Sequence, residues 1–167
     1  MELGDLVMGR RIRQNHALEH ATVSVLAAHA PGLAVSARAN RRGFTIFADL
    51  DLEVVRRASV EALARMRAGE RELAIHPNCG TNLAVGTSVM LVGWLFALMT
   101  LRPRIRVASA AIGSLAGFAT ARPLGSVVQR HITTLPDVRD LRIVAIRRSH
   151  VLGRRFVDVL TGTEPAL

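Results

Sequence analysis

His76-Pro77-Asn78-Cys79-Gly80-Thr81-Asn82 opens the stretch that decides the fold, because from Pro77 to Leu101 the chain carries no charged residue. Thr81 or Asn82 can cap a helix running to about Leu101. About twenty residues at 1.5 Å each give roughly 30 Å, the hydrocarbon thickness of a bilayer. A helix apolar on every side needs a large core or lipid around it, and the rest of a 167-residue chain is too small to wrap it. Arg102-Pro103-Arg104-Ile105-Arg106 then forms a basic, helix-breaking turn. Val107 to Ala121 is a second uncharged stretch, roughly 22 Å long as a helix, which is short for a span unless it tilts or its flanking arginines snorkel. Gly113 and Gly117, extended by Ser109 and Ala121, make a small-residue face. The first helix can pack closely on it, or a second copy of the chain can use it to form a homo-oligomer.

The flanks read as a soluble fold. A helical pattern runs from Arg13 to Ala30 and stops at Pro31-Gly32. Leu33 to Arg38 and Phe44 to Ala48 alternate like strands around the turn Asn40-Arg41-Arg42-Gly43. Asp51 is placed to cap a helix from Leu52 to Ala68, with Glu53/Arg57 and Glu61/Arg65 as ion pairs on its wet face. Glu72 to Ile75 is predicted as a short strand delivering His76 and Cys79. Leu124 to Thr133, after Pro123, is predicted as a short interfacial helix, and Leu141–Arg148 and Arg155–Leu160 as strands. Residues 1–12 and the tail from Thr161 read as loosely held. The expected class is α+β: a small mixed sheet with flanking helices, interrupted by a two-helix membrane hairpin. Residues 1–81 form the N-terminal half with the metal motifs, 82–121 the transmembrane or re-entrant hairpin, and 122–167 the C-terminal half with a β-hairpin.

Composition narrows the partners. Half of the residues are apolar although 21% are charged, so the two kinds must be segregated along the chain. The net charge of +9 rests on arginine alone, with no lysine. A genome rich in G and C accounts for most of that bias, and the functional reading is attraction to anionic lipid headgroups of the bilayer. At 4% aromatic residues and no tyrosine, the chain lacks the stacking surface a nucleic-acid binder needs, so no nucleic-acid partner is expected. One cysteine excludes an intramolecular disulfide and fits a reducing compartment or a metal ligand. Met1 to Asn15 holds no apolar core of signal-peptide length. The expected location is therefore the cell membrane, multi-pass, with the soluble part in the cytoplasm. The arginine turn at 102–106 argues the other way by the positive-inside rule.

The chemistry rests on His16-Ala17-Leu18-Glu19-His20 and on His76-Pro77-Asn78-Cys79-Gly80. On a helix His16, Glu19 and His20 share one face. Two imidazoles one turn apart can grip a cation, and a carboxylate beside them can act as base or ligand. In the second string Pro77 and Gly80 permit a tight loop whose amides can stabilise a Cys79 thiolate. His16, His20, His76 and Cys79 together make the count for tetrahedral Zn²⁺, and the mixed nitrogen and sulfur donors favour zinc over magnesium or calcium. If all four bind, the site is closed and structural. If Cys79 or His76 stands back, a position opens for water and Glu19 becomes the catalytic base. His29 reads as a helix-end dipole partner, His131 and His150 as surface groups, and Asn15, Asn78 and Asn82 as turn, cap or orienting residues.

Taken together the two motifs resemble an uncharacterised family of bacterial multi-pass membrane proteins. Its members carry H-x-x-E-H followed by H-P-x-C-G-T just before a membrane helix and are regarded as metal-dependent enzymes. The resemblance covers about residues 14–83 and implies metal binding by His16, Glu19, His20, His76 and Cys79. The first motif is also similar to that of the inverzincin peptidases, in which a distant downstream Glu completes the metal site. Here Glu70 and Glu72 are candidates by position only, and the chain lacks the bulk of that fold. The leading expectation is an integral membrane protein with a zinc site at the membrane surface, a metal-dependent hydrolase. The alternatives are a non-catalytic scaffold or adaptor with structural zinc, and a component of a transport assembly. The absence of charge in both spans counts against transport.

Overall fold

A computed structural model describes residues 3–33, 35–100, 103–151 and 153–163. They form two compact units, Met1–His76 with Arg130–Leu167, and Pro77–Gln129. The architecture is α+β, but every strand pairing among the described residues is antiparallel, where a mixed sheet was expected.

In the first unit α1 (Leu3–Val7) and α2 (Arg10–His29) precede a hairpin of β1 (Ala37–Asn40) and β2 (Gly43–Ile46), then α3 (Leu52–Arg67) and a 3₁₀ turn (Arg71–Ala74). The unit is completed by β3 (Leu141–Val151) and β4 (Arg154–Thr163), and the sheet order is β1-β2-β4-β3. The alternation that predicted strands also fixes the faces. Phe44, Ile46, Val157 and Val159 point to the helices and pack with Leu18, Leu26, Val55 and Ala62 in one buried core. Leu18 is fully buried there, so Leu18→Ala should cost about 3 kcal/mol in thermal or denaturant unfolding.

Local signals explain the element ends. The Asn40 side chain accepts from the Arg42 N–H at 2.7 Å, and Gly43, at φ +144°, takes a conformation where a side chain would strike the Val159 carbonyl. Asp51 caps α3 by accepting from the Glu53 N–H at 2.7 Å, and the Glu53–Arg57 and Glu61–Arg65 pairs form at 3.3 and 3.5 Å.

Several expectations are corrected. Residues 71–74 form a 3₁₀ turn rather than the strand predicted from Glu72 to Ile75; the Ala74 carbonyl accepts from a histidine ring instead of a strand partner. The first strand begins at Ala37, later than the predicted Leu33, and Ala34 of that prediction lies outside the described residues. The N-terminus is held. The Arg13 guanidinium, 1% exposed, pairs with Asp5 at 2.6 Å and donates to the Thr134 carbonyl at 3.3 Å. Gly4 leaves room for it, since a Cβ there would sit 2.5 Å from the Arg13 guanidinium carbon. Strand β4 continues through Thr161 to Thr163, because Thr161 N–H donates to the Arg42 carbonyl at 2.8 Å. Of the predicted loose tail, residues 164–167 lie outside the described residues, as do Leu101 of the first apolar run and Arg102 of the basic turn, while Pro103–Arg106 of that turn are helical instead.

The second unit is a helical hairpin of α4 (Gly80–Thr100) and α5 (Pro103–Val128). Glycines let the backbones approach, with Gly86 meeting Gly117 and Gly93 meeting Gly113. The Gly113/Gly117 face is thus turned to α4. A Cβ on Gly117 would lie 2.6 Å from the Gly86 carbonyl oxygen. Gly117→Val should therefore destabilise the hairpin by about 1–3 kcal/mol, read as a lowered melting temperature in detergent. The Trp94 indole N–H donates across to the Ala110 carbonyl at 3.0 Å and the Ser114 hydroxyl at 3.1 Å. Helix α5 does not stop before Pro123. Leu124–Val128 are its continuation, and Gln129–Thr133 is a π-helical turn, where a separate interfacial helix was predicted. Among the described helices one, Gly80–Met99, is long and apolar enough to cross a membrane, with 17% of it buried. Helix α5 carries Arg104, Arg106 and Arg122, which confine its uncharged stretch to Val107–Ala121.

Candidate metal centre

Helix α2 is unusual in burying a polar stripe, and each member has a reason to be inside. Gln14 donates to the Asp137 carbonyl at 2.9 Å and to the Asp140 carboxylate at 2.6 Å. Asn15 donates to the Asn40 carbonyl at 2.7 Å and accepts from the Thr161 hydroxyl at 2.7 Å. Satisfied in this way, the polar groups are held without the penalty of an unmade hydrogen bond, and they lock the register of α2 against the sheet. That register sets the position of His16, Glu19 and His20.

His16 and His20 stack edge to face with ring centroids 4.3 Å apart, and they offer nitrogens within 4.8 Å of each other. His76, at the end of the segment that follows the 3₁₀ turn, brings its ring to 5.8 Å from that of His20. A distant segment therefore brings a third imidazole, His76, up to the His16–His20 pair in the first unit. Two of them are oriented by main-chain carbonyls. His16 Nδ1 lies 3.0 Å from the Thr133 oxygen and His20 Nδ1 lies 2.7 Å from the Ala74 oxygen. A neutral imidazole facing a carbonyl must donate from that nitrogen, so Nδ1 carries the proton and Nε2 the basic lone pair. This carbonyl–imidazole arrangement is the one that prepares histidine as a metal ligand. Burial pulls the His76 imidazole below its ordinary value, which favours the neutral, ligand-competent ring.

Glu19 is 7% exposed. Burial pushes its carboxyl up to about 7, against the field of His16 and a hydrogen bond from the Ala39 N–H of the edge strand β1, both of which pull it down. A carboxyl poised near neutrality can take up and release a proton at physiological pH.

Cys79 belongs to the second unit, three residues along the chain from His76. The Thr81 N–H donates to its sulfur at 3.4 Å, as the tight loop predicts. Asn82, 6% exposed, shapes that loop: it donates to the Pro77 carbonyl at 2.7 Å and accepts from the buried Gln129 amide at 2.6 Å. Gly125 leaves the space that Asn82 fills.

The remaining candidates stand elsewhere. Glu70 pairs with Arg65 at 2.7 Å, and Glu72, 80% exposed, pairs with Arg130 at 3.0 Å. His29 Nδ1 faces the Val25 carbonyl at 3.0 Å near the end of α2, while His131 and His150 are exposed. Sequence reasoning missed the groups that orient the rings, namely the Thr133 and Ala74 carbonyls and the Ala39 N–H. All are main-chain atoms, which leave no side-chain signal. Gln129 was also missed.

A polar, histidine-bearing helix over an antiparallel sheet, with a helical hairpin as a second unit, defines the class. Residues 11–146 match the family described as Domain of unknown function (DUF6391), and the chain belongs to that family. It is 36% identical over 176 aligned positions to an uncharacterised protein of Picosynechococcus sp., covering 92% of this chain and 86% of that one. No solved structure matches the chain.

Proposed function

We propose that this chain is a membrane-anchored zinc protein whose metal is held by His16, His20 and His76, and that it acts as a hydrolase with Glu19 as general base. The observation that carries the reading is the meeting of the three imidazoles, two of them with Nδ1 set on a main-chain carbonyl. The donor chemistry fits a borderline-soft cation better than magnesium or calcium. Bound there, zinc would polarise a substrate carbonyl or phosphoryl oxygen and so make the attached carbon or phosphorus more electrophilic. Glu19 would remove a proton from the attacking water and return it to the leaving group. Cys79 is tethered to His76 by three residues, a reach of about 10 Å at most, and as a fourth donor it would close or tune the site.

The anchor is the helical hairpin. Leu95, Phe96 and Met99 of α4, and Ile112, Leu115 and Phe118 of α5, all stand exposed. A patch of this kind on a water-soluble protein would drive aggregation, whereas lipid covers it at no cost. Both helices therefore sit in the bilayer, α4 spanning it and α5 tilted beside it, with the flanking arginines near anionic headgroups. The first unit is placed on the cytoplasmic side, where a lone thiol stays reduced. Alkaline carbonate washing should leave the protein in the membrane pellet. Recovery of a monodisperse protein without detergent would refute the anchor.

A second reading has its own support. His20 is only 3% exposed and joins α2 to the Ala74 carbonyl, as a structural staple would. In that case the metal fixes a scaffold and Glu19 performs no chemistry.

A further inference from the structure

The outer face of the sheet in the first unit carries a second polar site, unrelated to the histidines. Strand alternation turns Thr45 of β2, Asp158 of β4 and Arg147 of β3 to the side opposite the core, where register places them in one row across the sheet. Arg38 of the edge strand continues that row next to Thr45. The row borders a cleft of about 240 Å³, whose lining includes Asn40, Arg42, Thr45, Arg147 and Asp158.

We infer that this cleft binds a small phosphate-bearing anion. Charge decides the sign of the ligand. The Asp158 carboxylate, 18% exposed, accepts from the Thr45 hydroxyl at 2.7 Å and pairs with Arg147 at 3.7 Å, while most of the Arg147 side chain stays in solvent. Among the described residues no carboxylate pairs with the side chain of Arg42 or Arg38. Two guanidinium groups thus line a cleft with one carboxylate already engaged, leaving net positive charge and planar forks of donors suited to phosphate oxygens. Size fits the class. The cleft is smaller than the roughly 300–1,000 Å³ of sites for drug-sized ligands and has room for a phosphate or a phosphorylated headgroup. The same chemistry is offered by a soluble phosphate ester and by an anionic lipid, and the test separates them.

The full-length protein in neutral detergent is titrated with inorganic pyrophosphate in one arm. In the other it is titrated with short-chain phosphatidic acid doped into the micelles, with binding read by calorimetry and by phosphorus NMR line width. Binding in either arm supports the cleft, and the tighter arm names the source. Arg42→Gln and Arg147→Gln should each weaken binding roughly tenfold, the loss of one charge-assisted contact. Arg57→Gln and Arg71→Gln remove the same charge from α3 and the 3₁₀ turn and should change it less than about twofold, since distant surface charge is screened. Phosphate binding should be the same with and without chelator at a temperature where the chelated protein stays folded. The inference is overturned by any of four results. These are no binding in both arms, equal losses in the Arg57 and Arg71 variants, loss of binding on chelation of folded protein (which would put the phosphate on the metal), or tighter, Arg42-dependent binding of a single-stranded oligonucleotide.

Discussion

Zinc content should fall from about one ion per chain in the detergent-purified wild-type protein to near none in the His16→Ala/His20→Ala double variant. Both side chains project from one face of α2, and the double change removes two donors while leaving His76 alone in the first unit. A single remaining imidazole cannot hold the ion against solvent and buffer. A metal that binds the folded state more tightly than the unfolded one stabilises the fold, so its loss should also appear as lowered stability. Chelation of the wild type should lower the melting temperature, and chelation of the double variant should not. Elemental analysis of protein expressed with ample metal checks the first claim, and thermal scans with and without chelator check the second. Wild-type protein that is intact yet carries no transition metal would end the zinc reading, although the membrane anchor would stand.

Glu19→Gln should keep zinc and abolish hydrolysis if Glu19 is the base, and it should also change the pH dependence of stability in the metal-free protein. The carboxyl titrates near its ordinary 4.5 in the unfolded chain and at about 7 in the fold. Between those values the folded state binds more protons, so stability falls as pH rises. The contribution is fully present below about pH 4.5 and is lost as pH passes about 7, and the full difference is of order 3 kcal/mol. Glutamine carries no such charge. Metal-free Glu19→Gln should therefore match the wild type near pH 4 and exceed it in stability near pH 8, by up to about 3 kcal/mol. Thermal scans across pH with chelator present make the comparison without a known substrate. Zinc affinity separates the two functional readings. A base need not hold the metal, whereas a residue supporting the ligands should cost roughly 10–100-fold in affinity when changed. If Glu19→Gln loses zinc as severely as His20→Ala, the scaffold reading is preferred. Cys79→Ser complements it, because strong loss of zinc would mark a closed four-donor site and retention an open one.

Part of this was legible in the chain itself. The uncharged run after Pro77 announces a long apolar helix because composition alone sets how such a segment meets water. The Asp51 cap and the Asn40–Gly43 turn were legible because each is a bond between near neighbours. The pairing of His16 with His20 follows from helical periodicity, which needs only local sequence. Other features came from contacts between distant segments. Residues 71–74 became a 3₁₀ turn, and α5 ran on through Pro123, because packing overrode short-range signals that fit either outcome. The arrival of His76 beside His20 depends on the path of the chain over more than fifty positions. The choice of basic nitrogen on His16 and His20 was made by the carbonyls of Thr133 and Ala74, and the proton affinity of Glu19 by burial against β1. Every residue has the same carbonyl and, proline aside, the same N–H, so no sequence pattern records which of them faces a given side chain. Periodicity, charge and capping were fixed by the sequence alone, whereas the tautomers, the raised carboxyl and the meeting of the three imidazoles exist only once the fold has placed main-chain dipoles and excluded water.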